Sequence, residues 1–285
     1  MKIIKPNVEL WKQGEDVKAH VARCARICYG KESGNDEATY MRLINSHHWS
    51  MFRHETVYAI IPASLWTKIF GLIDYVRSPY IRWITFKDNI YIATNGNFML
   101  DIEKNSPVLW KYIYEHKANE AEFNSCEFAW KHHARWTFCV DTQISTSREL
   151  NRVSPNNIAE QSTRYVYENG TICKPHWISD EEADMFNENN DVDLDEAMNV
   201  YLRGCKKDFE DYKLLIDKYK LNRQDARGLL PLDTATRCVF TYNIDEWRAI
   251  LDLRYYGTTG APHPNAKIIA GMIRQELMEL GYDFR

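Results

Sequence analysis

The sequence predicts an α+β fold in which helices and antiparallel strands are mixed. Apolar residues recur at helical spacing over long stretches, most clearly from Leu194 to Tyr219. Two other stretches, 56–61 and 234–243, alternate as half-buried strands do. The sequence lacks a regular strand–helix–strand rhythm and a glycine-rich phosphate loop, which argues against a Rossmann domain.

The same patterns predict the elements in order. Helices are predicted at 14–28, 36–47, 65–76, 109–120, 146–151, 194–219, 245–254 and 264–280. Strands are predicted at 56–61, 135–141 and 234–243. Asn95-Gly96 stands between two apolar runs, which predicts the turn of a β-hairpin. Residues 180–193 are acidic and polar, and we expect them to form a surface excursion.

Length and composition limit the possible architectures and partners. With 285 residues and 45% hydrophobic content, the chain can bury a sizeable core, as one large domain or two small ones. We expect a single domain, 1–285, with an insertion at about 65–135. The net charge of -4 and the dispersed lysines and arginines give no basic surface for a nucleic acid polymer.

Other features indicate the compartment. No apolar run approaches the ~20 residues that span a bilayer, and the N-terminus lacks the pattern of a secretory signal. The seven cysteines are odd in number and lack short paired spacings, which argues against a disulfide framework and a metal site. We therefore expect a cytoplasmic protein with no membrane contact and no metal.

Residues 152–165 form the most informative segment. Pro155 and the two asparagines after it prevent the preceding helical run from continuing. Ser162-Thr163-Arg164 then offers hydroxyls, backbone N–H groups and a forked guanidinium, which are the donors that a phosphate needs. On this segment alone, a solvated loop with an incidental ion pair is an equally good interpretation.

A second segment, 226–254, favours the functional interpretation, because the two segments together resemble the flavin-dependent thymidylate synthases. The signature of that family is R-H-R-x-x-S-x-N-E-x-S-x-R-Y, and the ungapped matches are Arg152, Glu160, Ser162, Arg164 and Tyr165. The second segment matches A-R-x-x-L-P, V-x-T-x-N and a closing L-R. Residues 48–54 resemble H-x-S-x-F-E-H more weakly, and the similarity spans roughly 20–62 and 136–280.

The chain departs from the family pattern where the flavin is concerned. Val153 and Ser154 replace the His and second Arg of R-H-R, a segment that contacts the flavin in the family. Arg53 replaces the Glu of F-E-H, and Ala249 stands where relatives often have Asn or His. Asn157 and Ala159 replace the signature's first Ser and its Asn. The nucleotide half of the signature is intact.

The resemblance implies reductive methylation of dUMP to dTMP. Methylenetetrahydrofolate would give the carbon, FAD would carry the hydride and NADPH would reduce the flavin. It also implies a homotetramer with active sites shared between subunits. Adding a methyl group at C5 of uracil requires electron density there, so negative charge develops on the N3–C4–O4 edge and needs a fixed cation. The resemblance gives this catalytic role to Arg254, although a helix C-terminal position also favours an arginine.

The other roles implied by the resemblance are binding roles. The residues expected to hold dUMP are Glu149, Arg152, Glu160, Ser162, Thr163, Arg164 and Arg227. The residues expected to contact the flavin are His48, Ser50, Arg152 and Asn243. For His48 a plain loop or core role fits the sequence equally well, and Glu160 could be a surface carboxylate.

Three functions remain open from the sequence. The first is a divergent flavin-dependent thymidylate synthase. The second is a flavin-dependent relative that methylates another pyrimidine nucleotide, such as UMP, because residues that read the sugar 2′ position cannot be identified. The third is a non-catalytic nucleotide-binding relative that has lost the flavin, which the replacement of R-H-R by Arg152-Val153-Ser154 favours. The match through Arg254 favours an enzyme.

Overall fold

The computed structural model describes residues 1–72, 75, 77–190 and 192–284. Its centre is a four-stranded antiparallel sheet in the order β2-β7-β10-β8. The strands are β2 (Asn7–Trp11), β7 (Arg135–Gln143), β8 (Ile158–Glu160) and β10 (Ala235–Asn243). Strands β7 and β10 pair over their whole length, from Ala235 opposite Gln143 to Asn243 opposite Arg135. This register brings the two ends of the 135–243 region together.

A second antiparallel sheet lies largely within residues 56–118. Its order is β4-β5-β3-β6, with the strands β3 (Thr56–Pro62), β4 (Arg82–Phe86), β5 (Asn89–Asn95) and β6 (Lys117–Ala118). Its apolar residues form a core of their own, which includes Ile61, Ile92 and Ile102. A short parallel pair, β1 (Lys2–Ile4) with β9 (Thr171–Cys173), completes the strands of the described residues.

The helices surround these sheets. They are α1 (Val17–Ile27), α2 (Asp36–Asn45), α3 (Trp66–Phe70), α4 (Gly96–Asn105), α5 (Pro107–Glu115), α6 (Glu120–Asn124), α7 (Glu127–His133), α8 (Ile144–Leu150), α9 (Asp180–Glu188), α10 (Glu196–Asp217), α11 (Arg223–Ala226), α12 (Ile244–Leu251) and α13 (Pro264–Glu279). Short 3-10 helices span Trp49–His54, Ala63–Leu65 and Arg227–Leu229, and a π-helical turn spans Asp252–Tyr256. The largest core packs α12 and α13 against the central sheet around Phe138, Phe240 and Trp247.

Most elements predicted from periodicity are confirmed. The mixed helix and antiparallel sheet architecture is as expected, and the long helix at 194–219 is α10. The helix predicted at 65–76 is confirmed from Trp66 to Phe70 as α3, and a turn follows at residues 71 and 72; residues 73, 74 and 76 lie outside the described part of the chain. The helix predicted at 109–120 is also shorter, because α5 ends at Glu115 and a strand pairing follows.

The hairpin turn predicted at Asn95-Gly96 is wrong. Asn95 is the N-cap of α4, and its side-chain oxygen accepts a hydrogen bond from the Phe98 N–H at 2.9 Å. Asparagine suits both an N-cap and a tight turn, so the dipeptide alone is ambiguous. The hairpin in this sheet joins β4 to β5 instead, where Lys87 adopts a left-handed conformation with φ 53°.

The surface excursion predicted at 180–193 is also wrong in part. Residues Asp180–Glu188 form α9, which Ser179 caps in a capping box with Glu182. The helix buries Ala183 and Phe186 against the core beside β1 and β9. Asn187 also accepts a hydrogen bond from the Ile3 N–H and donates one to the Ile3 carbonyl, so these bonds and the two buried apolar residues hold the acidic helix in place. Among the described residues, no helix is long and apolar enough to cross a membrane, and no group of three or more side chains could hold a metal ion.

Candidate active site

Arg254 lies where two distant segments of the chain meet. It belongs to the π-helical turn that follows α12 and ends at Gly257, whose φ of 71° is left-handed. Its Nε donates to the backbone carbonyl of Glu149 at 2.6 Å, and its Nη2 lies 3.0 Å from Glu149 Oε2. The side chain of Arg254 is only 14% exposed. The guanidinium is therefore fixed by both the backbone and the side chain of one residue.

Glu149 also holds Arg152. The Arg152 Nη2 donates to the same Oε2 of Glu149 at 3.4 Å, and the Arg152 side chain is 43% exposed. Glu149 lies in the last turn of α8, so it can reach forward to Arg152 and across to the turn after α12. One carboxylate thus joins two guanidinium groups, of which one is nearly covered and the other faces solvent. We call Glu149, Arg152 and Arg254 the carboxylate-bridged arginine pair.

Glu160 supports the helix that carries Glu149. Its Oε1 accepts hydrogen bonds from Ser147 Oγ at 2.8 Å and from Thr236 Oγ1 at 3.2 Å. Burial raises the pKa of Glu160, and these two hydroxyls oppose that shift. Since Ser147 lies in α8, the carboxyl ties α8 to the central sheet. The sequence did not reveal Ser147 and Thr236 as partners, because neither lies at a motif position.

The phosphate-binding candidates form a second group. Arg227 Nη1 donates to Thr163 Oγ1 at 3.3 Å, and Arg164 Nη2 donates to Gln224 Oε1 at 3.4 Å. Both arginines are exposed, and no described carboxylate lies within 4.0 Å of either guanidinium. Their charge is therefore available to an anion.

The backbone around Ser162 is fixed from two sides. The Ser162 N–H donates to the Cys28 carbonyl at 3.1 Å, which anchors the loop to the end of α1. The Ser162 Oγ accepts from the Arg164 N–H at 3.3 Å. We call Ser162, Thr163 and Arg164, together with Arg227 from the second segment, the phosphate loop, after the ligand that the sequence predicts for them. Between described residues, no hydrogen bond or ion pair joins this loop directly to the carboxylate-bridged arginine pair.

The flavin candidates lie on three elements that hydrogen bonds connect. The 3-10 helix Trp49–His54 follows His48, which is exposed, and contains Ser50, which is half-buried. Its Arg53 Nη1 donates to the Asn156 carbonyl at 3.0 Å, which joins it to the signature segment. His54 Nδ1 lies 2.8 Å from Thr241 Oγ1, which joins the same helix to β10.

Asn243 ends β10 and has a second role. Its side-chain oxygen accepts from the Glu246 N–H at 2.9 Å, and its own N–H donates to Glu246 Oε2 at 2.9 Å, so it caps α12. The residue is 2% exposed. Its assignment as a flavin contact stays a prediction, with part of its hydrogen-bonding capacity already used by the helix.

The structure gives a physical reason for one departure from the signature. Val153 packs against the core between the central sheet and the two C-terminal helices. A valine there gains apolar contacts that a charged histidine would lose. Ser154, by contrast, is exposed. At the position of the signature's His, Val153 contributes to the core. At the position of the signature's second Arg, Ser154 faces solvent.

Comparison with known proteins decides the family. A sequence model of the thymidylate synthase complementing protein family matches residues 126–280. The chain belongs to this family. It is the family of flavin-dependent thymidylate synthases that the two motif segments resemble, so that resemblance is confirmed. Membership supports an enzyme of the methyltransferase type that acts on a nucleotide.

Among solved structures, the chain is similar to the UMP/dUMP methylase PolB from Streptomyces cacaoi. In the crystal structure with 5-Br dUMP, the identity is 16%, the TM-score is 0.46, and the match covers 98% of this chain and 93% of PolB. In the structure with 5-Br UMP, the identity is 16%, the TM-score is 0.44, and the coverage is 98% and 92%. No curated protein matches the chain.

Proposed function

We propose that this family member is a flavin-dependent thymidylate synthase that converts dUMP to dTMP. The observation that carries the proposal is the carboxylate-bridged arginine pair. Glu149 and Arg254 are 105 positions apart, yet two contacts fix the Arg254 guanidinium against the end of α8. Family membership supports nucleotide methylation in general, and this fixed cation supports the C5 chemistry in particular.

Arg254 would bind the N3–C4–O4 edge of the uracil. A guanidinium remains charged at every working pH and can donate two parallel hydrogen bonds to such an edge. Because Glu149 already holds it, the cation needs little reorganisation when negative charge develops on the ring. Burial of Arg254 to 14% exposure also excludes much of the water that would weaken this attraction.

The phosphate loop would hold the 5′-phosphate. Arg164 and Arg227 bring two exposed guanidinium groups from separate segments, and Ser162 and Thr163 add hydroxyls. A phosphate dianion is well matched by two guanidinium groups with neutral donors. Arg152 would lie nearer the sugar, as the solvent-facing member of the carboxylate-bridged arginine pair, and Glu160 would position α8 beneath the substrate.

The candidate residues for FAD supply the types of donor and acceptor that a flavin needs. Exposed His48, half-buried Ser50 and exposed Arg152 offer polar groups on elements that hydrogen bonds join, and Asn243 lies at the end of the adjoining strand. When bound, FAD supplies the hydride, after reduction by NADPH, and methylenetetrahydrofolate supplies the carbon. The protein's own contribution is to bind and orient the nucleotide and to stabilise charge on its ring.

We also propose a homotetramer in which each active site is completed by a second copy. No hydrogen bond or ion pair joins the phosphate loop to the carboxylate-bridged arginine pair within the described part of one chain. In the proposed assembly, the two groups of one site would come from neighbouring subunits. The chain would form one domain, 1–285, in which residues at about 65–135 are an insertion that shares a core with β3.

The decisive experiment is a product assay. The protein is incubated with dUMP, methylenetetrahydrofolate, NADPH and FAD, and dTMP is measured by mass spectrometry. Omitting each component in turn should abolish the product. UMP in place of dUMP tests the alternative substrate. The name of PolB gives both UMP and dUMP for that enzyme. Binding of dUMP without any product from either nucleotide would favour a non-catalytic relative.

A further inference from the structure

Arg53 lies between the signature segment and the 65–135 region. Its Nη1 donates to the Asn156 carbonyl at 3.0 Å, and its guanidinium packs over the Tyr80 ring at 5.2 Å from the ring centre. Asn156 is only two residues after Ser154, where the family signature has an arginine. A guanidinium group is therefore present beside this segment, although it comes from another element.

The charge of Arg53 is not neutralised by the described protein. No described carboxylate lies within 4.0 Å of its guanidinium, and its buried Nε has no hydrogen-bond partner. Arg135 lies next to it, because the Arg135 Nη2 donates to the Arg53 carbonyl at 2.8 Å, and it is 8% exposed. Of the carboxylates nearby, Glu246 pairs at 3.5 Å with a third arginine, Arg82.

The guanidinium groups of Arg53, Arg82 and Arg135 outnumber the carboxylate of Glu246, so the surroundings of Arg53 carry a net positive charge. Arg82, Arg135 and Glu246 line one small cavity together with Tyr80, and Arg53 adjoins this group through its contact with the Tyr80 ring. A half-buried cation without a counter-ion is unfavourable unless an anion or further acceptors complete it. The region is therefore suited to a bound anion.

Arg53 also faces the same way as a flavin candidate. In a 3-10 helix, side chains three positions apart eclipse each other, so Ser50 and Arg53 lie on one side of Trp49–His54. Arg53 is thus placed between Ser50, the signature segment and the end of β10.

We propose that Arg53 binds the phosphate groups of the FAD cofactor and takes the place of the arginine that the signature lacks at Ser154. The inference rests on the proposed function and deepens it, since it names the cation of the cofactor site. Arg53 in place of Glu and Ser154 in place of Arg would then compensate for each other. The charge has moved from the signature segment to the 3-10 helix.

The test is a titration of flavins into flavin-free protein, followed by quenching of flavin fluorescence. FAD carries a diphosphate, whereas riboflavin has none, so the two ligands separate phosphate binding from ring binding. We expect Arg53→Gln to weaken FAD binding about 10- to 100-fold and to change riboflavin binding less than about twofold. Arg53→Lys keeps the charge but loses the planar guanidinium, so it should recover part of the FAD affinity. Arg203→Gln, a change of an exposed arginine on α10, is the matched control and should leave both affinities unchanged.

A measurement on the unaltered protein does not depend on how the variants fold. Raising the salt concentration should weaken FAD binding far more than riboflavin binding, because screening acts on the phosphate charge. FAD affinity that is the same in Arg53→Gln, or that ignores salt, would overturn the inference and leave the proposed function standing. Equal losses for FAD and riboflavin in a folded Arg53→Gln protein would also overturn it. If the unaltered protein binds no FAD at any concentration, the proposed function itself fails.

Discussion

Arg254 donates a hydrogen bond from Nε to the backbone carbonyl of Glu149, 2.6 Å away, while its Nη2 lies 3.0 Å from the carboxylate of the same residue. The two contacts fix both the position and the plane of the guanidinium. Arg152 shares that carboxylate, so Glu149 determines where both cations lie. The first predictions follow from this arrangement.

Arg254→Ala and Arg227→Ala should change different kinetic constants. Arg254 would stabilise charge that grows on the uracil ring, so its loss should lower kcat by on the order of 10² or more. Arg227 would hold the phosphate in ground and transition state alike, so its loss should mainly raise KM. Steady-state kinetics with dUMP separates the two effects. Normal kcat in Arg254→Ala would remove this residue from the catalytic role.

The phosphate loop predicts that dUMP stabilises the folded protein. At ~100 times its dissociation constant, a ligand adds roughly 2.7 kcal/mol to the free energy of unfolding. Uridine lacks the phosphate, so it should raise the Tm far less than dUMP does. Thermal unfolding with each ligand measures the difference. Equal increases for uridine and dUMP would show that Arg164 and Arg227 do not bind the phosphate.

Glu55 should make the protein less stable as the pH rises. Burial raises the pKa of Glu55 to about 7, and Lys117 opposes this shift. The side chain is packed against Gly96, where any Cβ would collide with its carboxyl group. Between pH 4.5, the ordinary pKa of a glutamate, and about pH 7, the unfolded chain releases this proton and the folded chain keeps it. The stabilisation present below that window is therefore lost as the pH rises through it.

Glu55→Gln should consequently stabilise the protein at pH 8, by on the order of 1–3 kcal/mol, and have little effect at pH 4. Denaturant unfolding at the two pH values measures this. Glu103→Gln, a change of an exposed carboxylate on α4, is the control and should show no such contrast. A destabilised Glu55→Gln at pH 8 would contradict the assigned burial cost.

Two buried histidines predict that the protein becomes less stable as the pH falls in the acid range, which is the opposite of the effect expected from Glu55. Burial lowers the pKa of His20 to about 4 and that of His54 to about 3. His54 contacts Thr241, Thr241 contacts Thr137 at 2.8 Å, and Thr137 Oγ1 lies 3.4 Å from His20 Nε2. As the pH falls below 6.5, both histidines bind protons in the unfolded chain but stay neutral in the folded chain. The free energy of unfolding therefore falls until about pH 3–4.

The loss should be on the order of a few kcal/mol between pH 6.5 and 4, and His20→Gln should make the fall shallower. Unfolding in denaturant at a series of pH values measures the slope for each protein. Because Glu55 acts in the opposite direction between pH 4.5 and 7, the comparison is cleanest in the Glu55→Gln background. An unchanged slope after His20→Gln would mean that His20 is protonated in the folded state.

The sequence alone determined the elements with strong local patterns. The periodic apolar positions of 194–219 and the alternation of 234–243 each report one buried face, and both elements formed as predicted. The motif residues from Arg152 to Tyr165 and from Ala226 to Arg254 also identified the family, since their spacing is preserved without gaps. Periodicity and spacing are properties of short stretches, which is why sequence reasoning reached them.

Tertiary structure decided whatever depends on residues far apart. Asn95 can cap a helix or form a turn. The cap is selected because Phe98 and Ile102 of the helix pack into the core of the second sheet. Strands β7 and β10 are antiparallel, so α8 and α12 begin at opposite ends of this strand pair, and Glu149 contacts Arg254 where the end of α8 meets the turn after α12. In the same way, sequence comparison marked Arg53 only as a departure, and the fold places it beside Asn156. Contacts across a hundred residues depend on sheet register and core packing, which no local pattern encodes.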